Sequence, residues 1–381
     1  MKDKLQARLI AFYLPQYHPI PENDAWWGKG FTEWRNVAKA KPLFWGHRQP
    51  NVPADLGFYD LRVPEVREQQ AELAGKYGIE GFCYWHYWFN GKLLLERPVL
   101  EVIASRKPDF PFCLAWANEP WSRRWTGEPL DILQDQVYGS DDDATRHFEW
   151  LLPAFKDPRA IKVDGKPVFL IYRADQIPGI QNMLELWRKL AIKNGLPGLY
   201  LMMIETTGTF NMNPLEWGFD ATVEFQPHWK KCADIQPKNF FYKMLIHLYR
   251  LPVRIFRGIL YRLFPRFKKQ LWILDYRKLW PHLAMTHERD YPFYPGVFPR
   301  WDNTPRKGKT GGLVIRHSTP LEYEKWLKKT IECLLPRPKE HRIVFINAWN
   351  EWAEGNYLEP DLRFGHAYLE ATYQANLNRN E

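Results

Sequence analysis

The chain has 381 residues, and its 45% hydrophobic and 25% charged residues are typical of a globular protein with one large domain or two ordinary ones. The sequence has no run of about 18 apolar residues, so no membrane-spanning helix is predicted. None of its four cysteines forms a CxxC pair, so the common zinc and redox motifs are absent. The formal net charge is +9, and aromatic residues make up 16% of the chain. Because aromatic rings stack on the apolar faces of sugars, this composition favours either a carbohydrate site or a Trp-rich core.

Short apolar runs that predict β-strands recur along the chain, and helix-like stretches separate many of them. Nearly continuous apolar runs are typical of parallel strands that are buried on both faces. In chain order the predicted strands are Arg8–Pro15, Ile79–Phe89, Phe110–Trp121, Lys166–Asp175, Gly198–Gly208, Phe219–Pro227, a weaker Tyr294–Asn303, and Arg342–Trp352. The predicted helices are Val63–Gly78, Ala144–Phe155, Ile180–Asn194 and Pro320–Leu335.

Eight strands that alternate with helices predict an α/β fold, a (β/α)8 TIM barrel. We expect a single catalytic domain over residues 1–381, with residues 230–290 as a basic helical insertion after the sixth strand. A doubly wound sheet is the alternative, but no GxGxxG or GxxxxGK[ST] sequence follows any strand.

Acidic, amide and aromatic residues gather where nearly every predicted strand ends. Barrel enzymes carry their chemistry at these C-terminal strand ends. The richest example is "NAWNEWAEGNYLEP", Asn347 to Pro360, in which Glu351 and Glu354 lie among tryptophans. Glycosidic bonds are cleaved by paired carboxyl groups, whereas the alternative is a solvated loop whose tryptophans simply pack. Positions i and i+3 of a strand face opposite ways, so the chain must turn after Glu351, and Gly355 permits such a turn.

Five aromatic-rich segments occur in one order: "AFYLPQYHPIPENDAWWGKGFTEW", "GFCYWHYWF", "WANEPW", "VFPRWDNTPR" and "WNEWAEG". On these segments the chain resembles the WbsX-like family of bacterial polysaccharide-biosynthesis proteins, which is similar to glycoside hydrolase family 99. Family 99 members are (β/α)8 barrels that cleave internal α-mannosidic bonds with retention, and WbsX-like proteins are described as glycosyltransferases of O-antigen synthesis. The resemblance implies an enzyme that hydrolyses or transfers glycosidic bonds of a bacterial surface glycan of the lipopolysaccharide type. A non-catalytic glycan-binding barrel is the other class.

The resemblance also implies roles for the two glutamates. Asn350-Glu351-Trp352-Ala353-Glu354-Gly355 corresponds to the family 99 motif Asn-Glu-Trp-His-Glu-Gly. Glu351 would assist the substrate 2-hydroxyl through a 1,2-anhydro sugar, and Glu354 would protonate the leaving oxygen. Ala353 departs from the family pattern, in which histidine is usual. The resemblance therefore implies the two carboxylates more strongly than it implies a mannose-type substrate.

"WANEPW" offers a second candidate for the acid/base. Asn118-Glu119-Pro120 resembles the Asn-Glu-Pro motif of other retaining barrel glycosidases, where the motif ends the fourth strand rather than the third. We therefore predict that Glu119 binds a sugar hydroxyl, with the acid/base role as the alternative. Strands also end at Asp175, Glu205 and Glu224. Each of these residues either lines the site or is a structural partner of another residue.

Further residues of the aromatic-rich segments are predicted to bind substrate. The alternatives are a hydrophobic plug under the first loop and, for His86, a buried structural histidine. The predicted residues are Trp27, Glu33, Trp34, Tyr84, His86, Trp88, Trp116, Asn118, Trp301, Asp302, Asn350 and Trp352. No metal-ligand spacing is recognisable, so no metal or other cofactor is expected.

Basic residues concentrate between Lys230 and Lys278, a segment with 13 Lys or Arg, two Asp and a net charge of +11. Its interleaved apolar and basic residues favour either an anionic membrane surface as partner or a packed helical subdomain. Nucleic acid is not expected, because no recognised binding motif accompanies the charge. The N-terminal apolar run is short and is broken by Pro15, which makes it a poor signal peptide. We predict a cytoplasmic protein, either free or peripheral at the inner membrane.

Overall fold

An eight-stranded parallel barrel forms the centre of the protein. The computed structural model describes residues 5–122, 132–235, 271–284, 289–308 and 312–378. The barrel strands, numbered β1 to β8 in chain order, are Arg8–Tyr13, Ile79–Phe89, Phe112–Trp116, Lys166–Ile171, Tyr200–Glu205, Ala221–Glu224, Phe293–Tyr294 with Gly296–Val297, and Ile343–Ile346. The predicted TIM barrel is confirmed, and the doubly wound alternative is wrong.

The seventh strand closes the barrel although Pro295 interrupts it. β1 to β6 pair in parallel in chain order, and β8 pairs with β1. Tyr294 pairs with Val223 of β6, and Gly296 pairs with Phe345 of β8. Pro295 has no N–H to donate, but its carbonyl accepts a hydrogen bond from the Phe345 N–H at 3.0 Å. Both edges of the sheet are therefore covered by the two halves of one strand.

Helices surround the barrel and connect its strands. The helix Pro64–Lys76 illustrates their signals: proline and Glu65 occupy its first turn, and Gly78 takes a left-handed φ of 78° just beyond its end. The α-helices, numbered α1 to α11, are Pro21–Trp27, Glu33–Ala38, Pro64–Lys76, Arg97–Ser105, Asp141–Lys156, Ile180–Lys193, Trp229–Ile235, Tyr276–Leu283, Thr304–Lys307, Pro320–Glu332 and Ala367–Asn376. Within the described part of the chain, no helix is long and apolar enough to cross a membrane.

The interior of the barrel is aromatic. Phe12 of β1 stacks on Trp85 of β2 with ring centroids 5.0 Å apart, and Phe225 meets both rings edge-on. Tyr172 adds edge-on contacts to Trp85 and Phe225 at 5.6 Å each. These four rings place large flat apolar surfaces inside the barrel, where aliphatic layers are more usual.

Three carboxylates at strand ends have structural partners. Glu205 accepts two hydrogen bonds from Arg289, at 2.9 and 3.0 Å, and both side chains are buried. Glu224 accepts a hydrogen bond from the buried ammonium of Lys231 at 2.8 Å. Asp175 pairs with Arg173 at 2.9 Å. A buried carboxylate requires such a partner, so these ion pairs account for the three acidic residues.

Two predictions about chain segments need correction. Trp272–Asp275, predicted within a helical insertion, is a strand that pairs in parallel with Leu313–Arg316. Trp301–Asp302 belongs to this small sheet as well and does not continue the seventh barrel strand. In the region of the predicted insertion, Trp229–Ile235 and Tyr276–Leu283 are helices, and residues 236–270 and 285–288 lie outside the described residues. Membrane binding by the basic segment therefore stays a prediction.

Gly296 allows the barrel to close and should not tolerate a side chain. A Cβ at Gly296 would lie 2.0 Å from the carbonyl oxygen of Glu224 on β6. We expect Gly296→Ala to lower the free energy of unfolding by about 1–3 kcal/mol, as overpacking does. The matched control is Gly75→Ala in α3, where the new Cβ would make an ordinary 3.6 Å contact and improve helix propensity. Urea unfolding should show opposite shifts, and equal shifts would contradict this account of closure.

Candidate active site

A cavity of about 540 Å³ opens at the C-terminal mouth of the barrel. The barrel-interior rings of Trp85, Tyr172 and Phe225 line it, together with Trp27 and Trp121 from loops. Four carboxyl-bearing residues also line it, namely Glu33, Glu119, Glu351 and Glu354. Apolar ring faces with a few convergent charged groups are the usual composition of a small-ligand site.

Arg306 contacts three of these carboxylates at once. Its Nη2 donates to Glu351 Oε2 at 3.0 Å, its Nε donates to Glu33 Oε2 at 3.1 Å, and its Nη1 lies 2.8 Å from Glu354 Oε1. Only 5% of the Arg306 side chain is exposed. Because one planar guanidinium holds both Glu351 and Glu354, their carboxyl oxygens lie within about 8 Å of each other. Such charge-assisted hydrogen bonds are strong, and they fix the two carboxyl groups side by side.

The two glutamates reach one cavity because the chain turns between them, as the sequence predicts. Trp352–Glu354 forms a single turn of 3-10 helix, and Gly355 follows with a left-handed φ of 57°. A Cβ at Gly355 would lie 2.9 Å from both the backbone N and the backbone O of Asp302. Glycine is therefore required here for its conformation and also for the close approach of a second chain segment.

A short helix carries Arg306 to the carboxylates. Asp302 Oδ1 accepts hydrogen bonds from the N–H and the hydroxyl of Thr304, which fixes the first turn of the helix. The Asn303 side chain accepts a hydrogen bond from the N–H of Leu313, and this ties the helix to the neighbouring strand. Sequence analysis missed Arg306, although "VFPRWDNTPR" contains it. No local pattern connects one arginine with three glutamates that lie 45 or more residues away.

The buried cluster shifts the protonation of its members. Burial raises the pKa of Glu351 from its usual 4.5 to about 8, and the nearby Glu354 and Glu33 act in the same direction, while Arg306 opposes them. The pKa of Arg306 is raised well above its usual value, because the three glutamates outweigh the cost of burying its charge. Burial and the nearby Glu351 also raise the pKa of Tyr87. Glu351 is thus a carboxyl group that changes charge near neutral pH, as catalytic acids and bases do.

Glu119 lies in the same cavity but binds a different arginine. Its Oε1 accepts a hydrogen bond from Arg173 Nη1 at 2.5 Å, and Arg173 also pairs with Asp175. Asn118 does not line the cavity, because its side chain accepts from the Arg173 N–H at 2.8 Å and donates to the Tyr138 hydroxyl at 2.9 Å. The buried Asn118 therefore positions the arginine that positions Glu119.

Three predicted residues of strand β2 lie on the outer face of the barrel. Tyr84 packs against Tyr13 at 4.6 Å, whereas Trp88 stacks on His147 of α5 at 4.7 Å. His86 shares a 2.8 Å hydrogen bond with the same His147 and is buried. The alternate residues Trp85 and Tyr87 line the cavity. Alternation along the strand was predicted, but sequence alone did not indicate which set faces inward.

Trp34, Asn350 and Trp352 support the site without lining it. Trp34 packs on Trp352 at 5.5 Å, which fits the alternative of a hydrophobic plug under the first loop and not the predicted contact with substrate. Trp352 donates to Glu359 at 2.6 Å, and this buried carboxylate also accepts from Tyr59 and Gln70. Burial raises the pKa of Glu359 to about 7, although these hydrogen bonds oppose the shift. The side chain of Asn350 bonds both backbone groups of Leu14, which anchors the start of the glutamate segment.

The remaining predicted residues divide between the cavity and its surroundings. Trp27, Glu33 and Trp301 line the cavity. Trp116 is buried and donates to the Trp88 carbonyl at 3.1 Å, whereas Asp302 lines a second, neighbouring cavity.

Two further asparagines line the cavity: Asn36, which sequence analysis did not single out, and Asn303, which follows Trp301 and Asp302 as part of a predicted platform after the seventh strand. Oδ1 of Asn36 and Nδ2 of Asn303 are buried and have no hydrogen-bond partner among the described residues. Buried polar atoms without partners are unusual and mark places where a ligand can bond. Asn36 stands in no recognisable pattern, and only the three-dimensional arrangement reveals that these two amide atoms lack a partner among the described residues.

Comparison with known sequences finds relatives of this chain. A family profile described as "Glycosyltransferase WbsX" matches residues 9–372. "Uncharacterized protein WxcX" from two strains of Xanthomonas campestris pv. campestris is 43% identical over 376 residues, which cover 98% of this chain and 50% of each relative. The chain thus spans about half the length of the curated relatives it matches.

Solved structures share the fold at low sequence identity. The GH99 endo-alpha-mannosidase from Bacteroides thetaiotaomicron aligns with a TM-score of 0.55 and 14% identity, over 97% of this chain and 96% of that protein. A "Glycoside hydrolase-like protein" aligns with a TM-score of 0.55 and 14% identity, over 98% of this chain and 94% of that protein. At such identities the likeness shows a common fold and no more.

The raised pKa of Glu351 predicts how stability changes with pH. Because the folded state disfavours the ionised carboxyl, the protein should lose stability as pH rises from about 5 to about 8. Glu351→Gln stays neutral, so the melting temperature of the variant minus that of the wild type should increase over this range. Glu185→Gln, on the exposed face of α6, is the control and should give a flat difference. A flat difference for Glu351→Gln would contradict the raised pKa.

Proposed function

The chain belongs to the WbsX glycosyltransferase family, and from this membership we propose that it makes or breaks a glycosidic bond of a bacterial surface polysaccharide. The observation that carries the proposal is the pair Glu351 and Glu354, held by one buried guanidinium in an aromatic-lined cavity at the barrel mouth. Two carboxyl groups flanking a sugar are the working parts of most enzymes that act on glycosidic bonds.

The reaction begins with the substrate 2-hydroxyl. Glu351 accepts the proton of this hydroxyl, whose oxygen attacks the anomeric carbon while the bond to the leaving oxygen breaks. Glu354 gives its proton to the leaving oxygen, and the product is a 1,2-anhydro sugar. An acceptor hydroxyl then gives its proton to Glu354 and opens the ring, and the sugar oxygen at position 2 recovers the proton from Glu351. Two inversions give overall retention, as the likeness to family 99 implies.

Arg306 and the cavity walls suit this sequence of proton transfers. A carboxyl group with a pKa near 8 both accepts and returns a proton without a large energetic penalty near neutral pH. Arg306 keeps a positive charge between the two glutamates and so stabilises whichever of them is ionised at each step. The rings of Trp27 and Trp121 offer stacking faces, and the amides of Asn36 and Asn303 offer hydrogen bonds to sugar hydroxyls.

Transfer to another sugar is the second candidate reaction. The description of the family as glycosyltransferases favours it, and the chemistry differs only in the final acceptor, which is a sugar hydroxyl in place of water. Both reactions use Glu351 and Glu354 in the same roles. Product analysis with defined α-mannosides, with and without an added saccharide acceptor, distinguishes them.

Removing either carboxyl group should abolish turnover and preserve binding. We expect Glu351→Gln and Glu354→Gln each to reduce kcat by about 10²–10⁴, the usual worth of general acid–base catalysis. Saccharide binding, measured by calorimetry, should change little, and Glu185→Gln is the control. Near-full activity of either variant would remove its role. Loss of turnover only in Glu119→Gln would favour Glu119 as the acid/base, and binding without any turnover in the wild type would indicate a glycan-binding barrel.

A substrate analogue tests the first chemical step. A 2-deoxy glycoside has no 2-hydroxyl and cannot form a 1,2-anhydro sugar, so we expect no detectable turnover. A mechanism in which a glutamate attacks the anomeric carbon directly would still process the analogue. The comparison uses an activated leaving group on both substrates, with turnover measured by release of that group. Comparable rates for the two substrates would refute participation of the 2-hydroxyl.

A further inference from the structure

A second cavity, of about 300 Å³, lies beside the candidate active site and is lined by arginines. Trp301 lines both cavities, and Gly355, which directly follows Glu354, lines the second. The charged residues of its lining are Arg48, Arg300, Arg316, Arg363 and Asp302, together with His47 and His317. Four arginines against one aspartate leave this cavity strongly positive.

The single lining carboxylate does not neutralise the arginines. Asp302 Oδ2 lies 2.7 Å from His47 Nε2 and accepts a hydrogen bond from Gln49 at 2.6 Å, while its Oδ1 accepts from Thr304 at 2.6 Å. The Nδ1 of His47 accepts from the Leu43 N–H, so Nε2 carries the proton that is donated to Asp302. All the strong acceptor positions of Asp302 are therefore engaged by groups other than arginine.

Only one of the four arginines has a close acidic partner. Arg300 is buried and pairs with Asp361 at 2.5 Å. Arg48, Arg316 and Arg363 are exposed, and across the described residues no carboxylate lies within salt-bridge distance of them. The Arg363 guanidinium is partly desolvated although the residue is exposed; this desolvation, and then the nearby charge of Arg48, lower its pKa, while Tyr368 and Asp361 oppose the shift. Clustered arginines that lack acidic partners make a positive potential that attracts anions.

The backbone is strained at His317, which directly follows Arg316 in the lining of this cavity. His317 has a φ of 63°, a left-handed conformation that is uncommon for a residue with a side chain. The adjacent Ser318 hydroxyl donates to the Pro299 carbonyl at 2.5 Å, which holds the segment against the core. Strain of this kind persists at ligand sites, where it fixes the direction of side chains.

We propose that this second cavity binds a phosphoryl group of the saccharide substrate, a glycosyl phosphate or diphosphate. Three guanidinium groups without a carboxylate partner among the described residues offer more donors than the two oxygens of a carboxylate accept, whereas a diphosphate has enough oxygens and charge for all of them. Trp301, shared by both cavities, would let one molecule place its sugar near Glu351 and its phosphoryl group among the arginines. This link to the sugar rests on the proposed function, but phosphoryl binding itself does not.

Two sources of the phosphoryl group share this chemistry. One is a soluble sugar phosphate or nucleotide sugar, and the other is a diphosphate that joins a saccharide to a lipid. Trp45, which is 99% exposed, and Leu362, which is 73% exposed, are sequence neighbours of the lining residues Gly46 and Arg363. Exposed apolar side chains at the rim are compatible with an amphiphilic carrier, so the experiment includes a membrane arm.

The first arm measures binding of inorganic pyrophosphate by calorimetry at fixed ionic strength. We expect Arg48→Gln/Arg363→Gln to weaken binding by about tenfold or more, the worth of one hydrogen bond between charged groups. Arg97→Gln/Arg277→Gln, at exposed arginines elsewhere, makes the same change in net charge and should bind like the wild type. Thermal unfolding checks folding, and removal of the facing charges should leave the melting temperature unchanged or raised. Absence of pyrophosphate binding, or equal loss in both double variants, would overturn the proposal.

The other arms of the experiment identify the source of the phosphoryl group and separate this proposal from the catalytic one. Glucuronate, a carboxylate sugar, should bind more weakly than pyrophosphate, and stronger binding would overturn the choice of a phosphoryl group. Flotation with phosphatidylcholine vesicles, with and without polyprenyl diphosphate, assigns the source: selective capture indicates a lipid-linked diphosphate, and pyrophosphate binding without capture indicates a soluble one. Glu351→Gln should bind pyrophosphate normally, so failure of the catalytic proposal and failure of this one are distinguishable.

Discussion

The guanidinium of Arg306 is the interaction on which the mouth of the barrel depends. It is buried, and Glu33, Glu351 and Glu354 supply the carboxylates around it. Taking charges out of water is costly unless each has a partner, so neither the arginine nor the glutamates could occupy this place alone. Three carboxylates around one cation leave an excess of negative charge, and this excess, together with burial, raises the pKa of Glu351. The same buried cluster therefore holds the glutamates in place and raises the pKa of Glu351.

Two cavities of opposite character meet at one short segment. Trp301 lines both of them, Asp302 anchors the small helix, and Arg306 on that helix organises the glutamates. Gly355 lets the glutamate turn approach Asp302 without a clash. In the proposals above, the carboxyl-rich cavity supplies the proton transfers of sugar chemistry, and the arginine-rich cavity binds an anionic group of the same substrate. In the proposed reaction this segment would couple binding of the phosphoryl group to placement of the sugar, because it contributes to the walls of both cavities.

Some predicted residues support the site from behind. In a Trp-rich sequence nothing distinguishes the rings that are buried from those that line a cavity. Trp27 and Trp34, for example, occur in the same loop with similar sequence neighbours. Trp34 packs on Trp352 beneath the cavity, whereas Trp27 lines it. On β2 the alternation was foreseen, but the inward set proved to contain Trp85 and excluded His86. Those outcomes depend on how the sheet curls, which a single strand does not encode.

The sequence by itself determined the barrel and the location of the candidate active site. Continuous apolar runs, helices between them and acidic strand ends depend on local periodicity, and they predicted the fold and placed Glu351, Glu354 and Glu119 at its mouth. Only the tertiary structure decided which groups meet. Arg306 joins glutamates that lie up to 273 residues away, and the arginines of the second cavity come from separate segments of the chain. Electrostatic partnerships form across space, and no spacing along the chain records them.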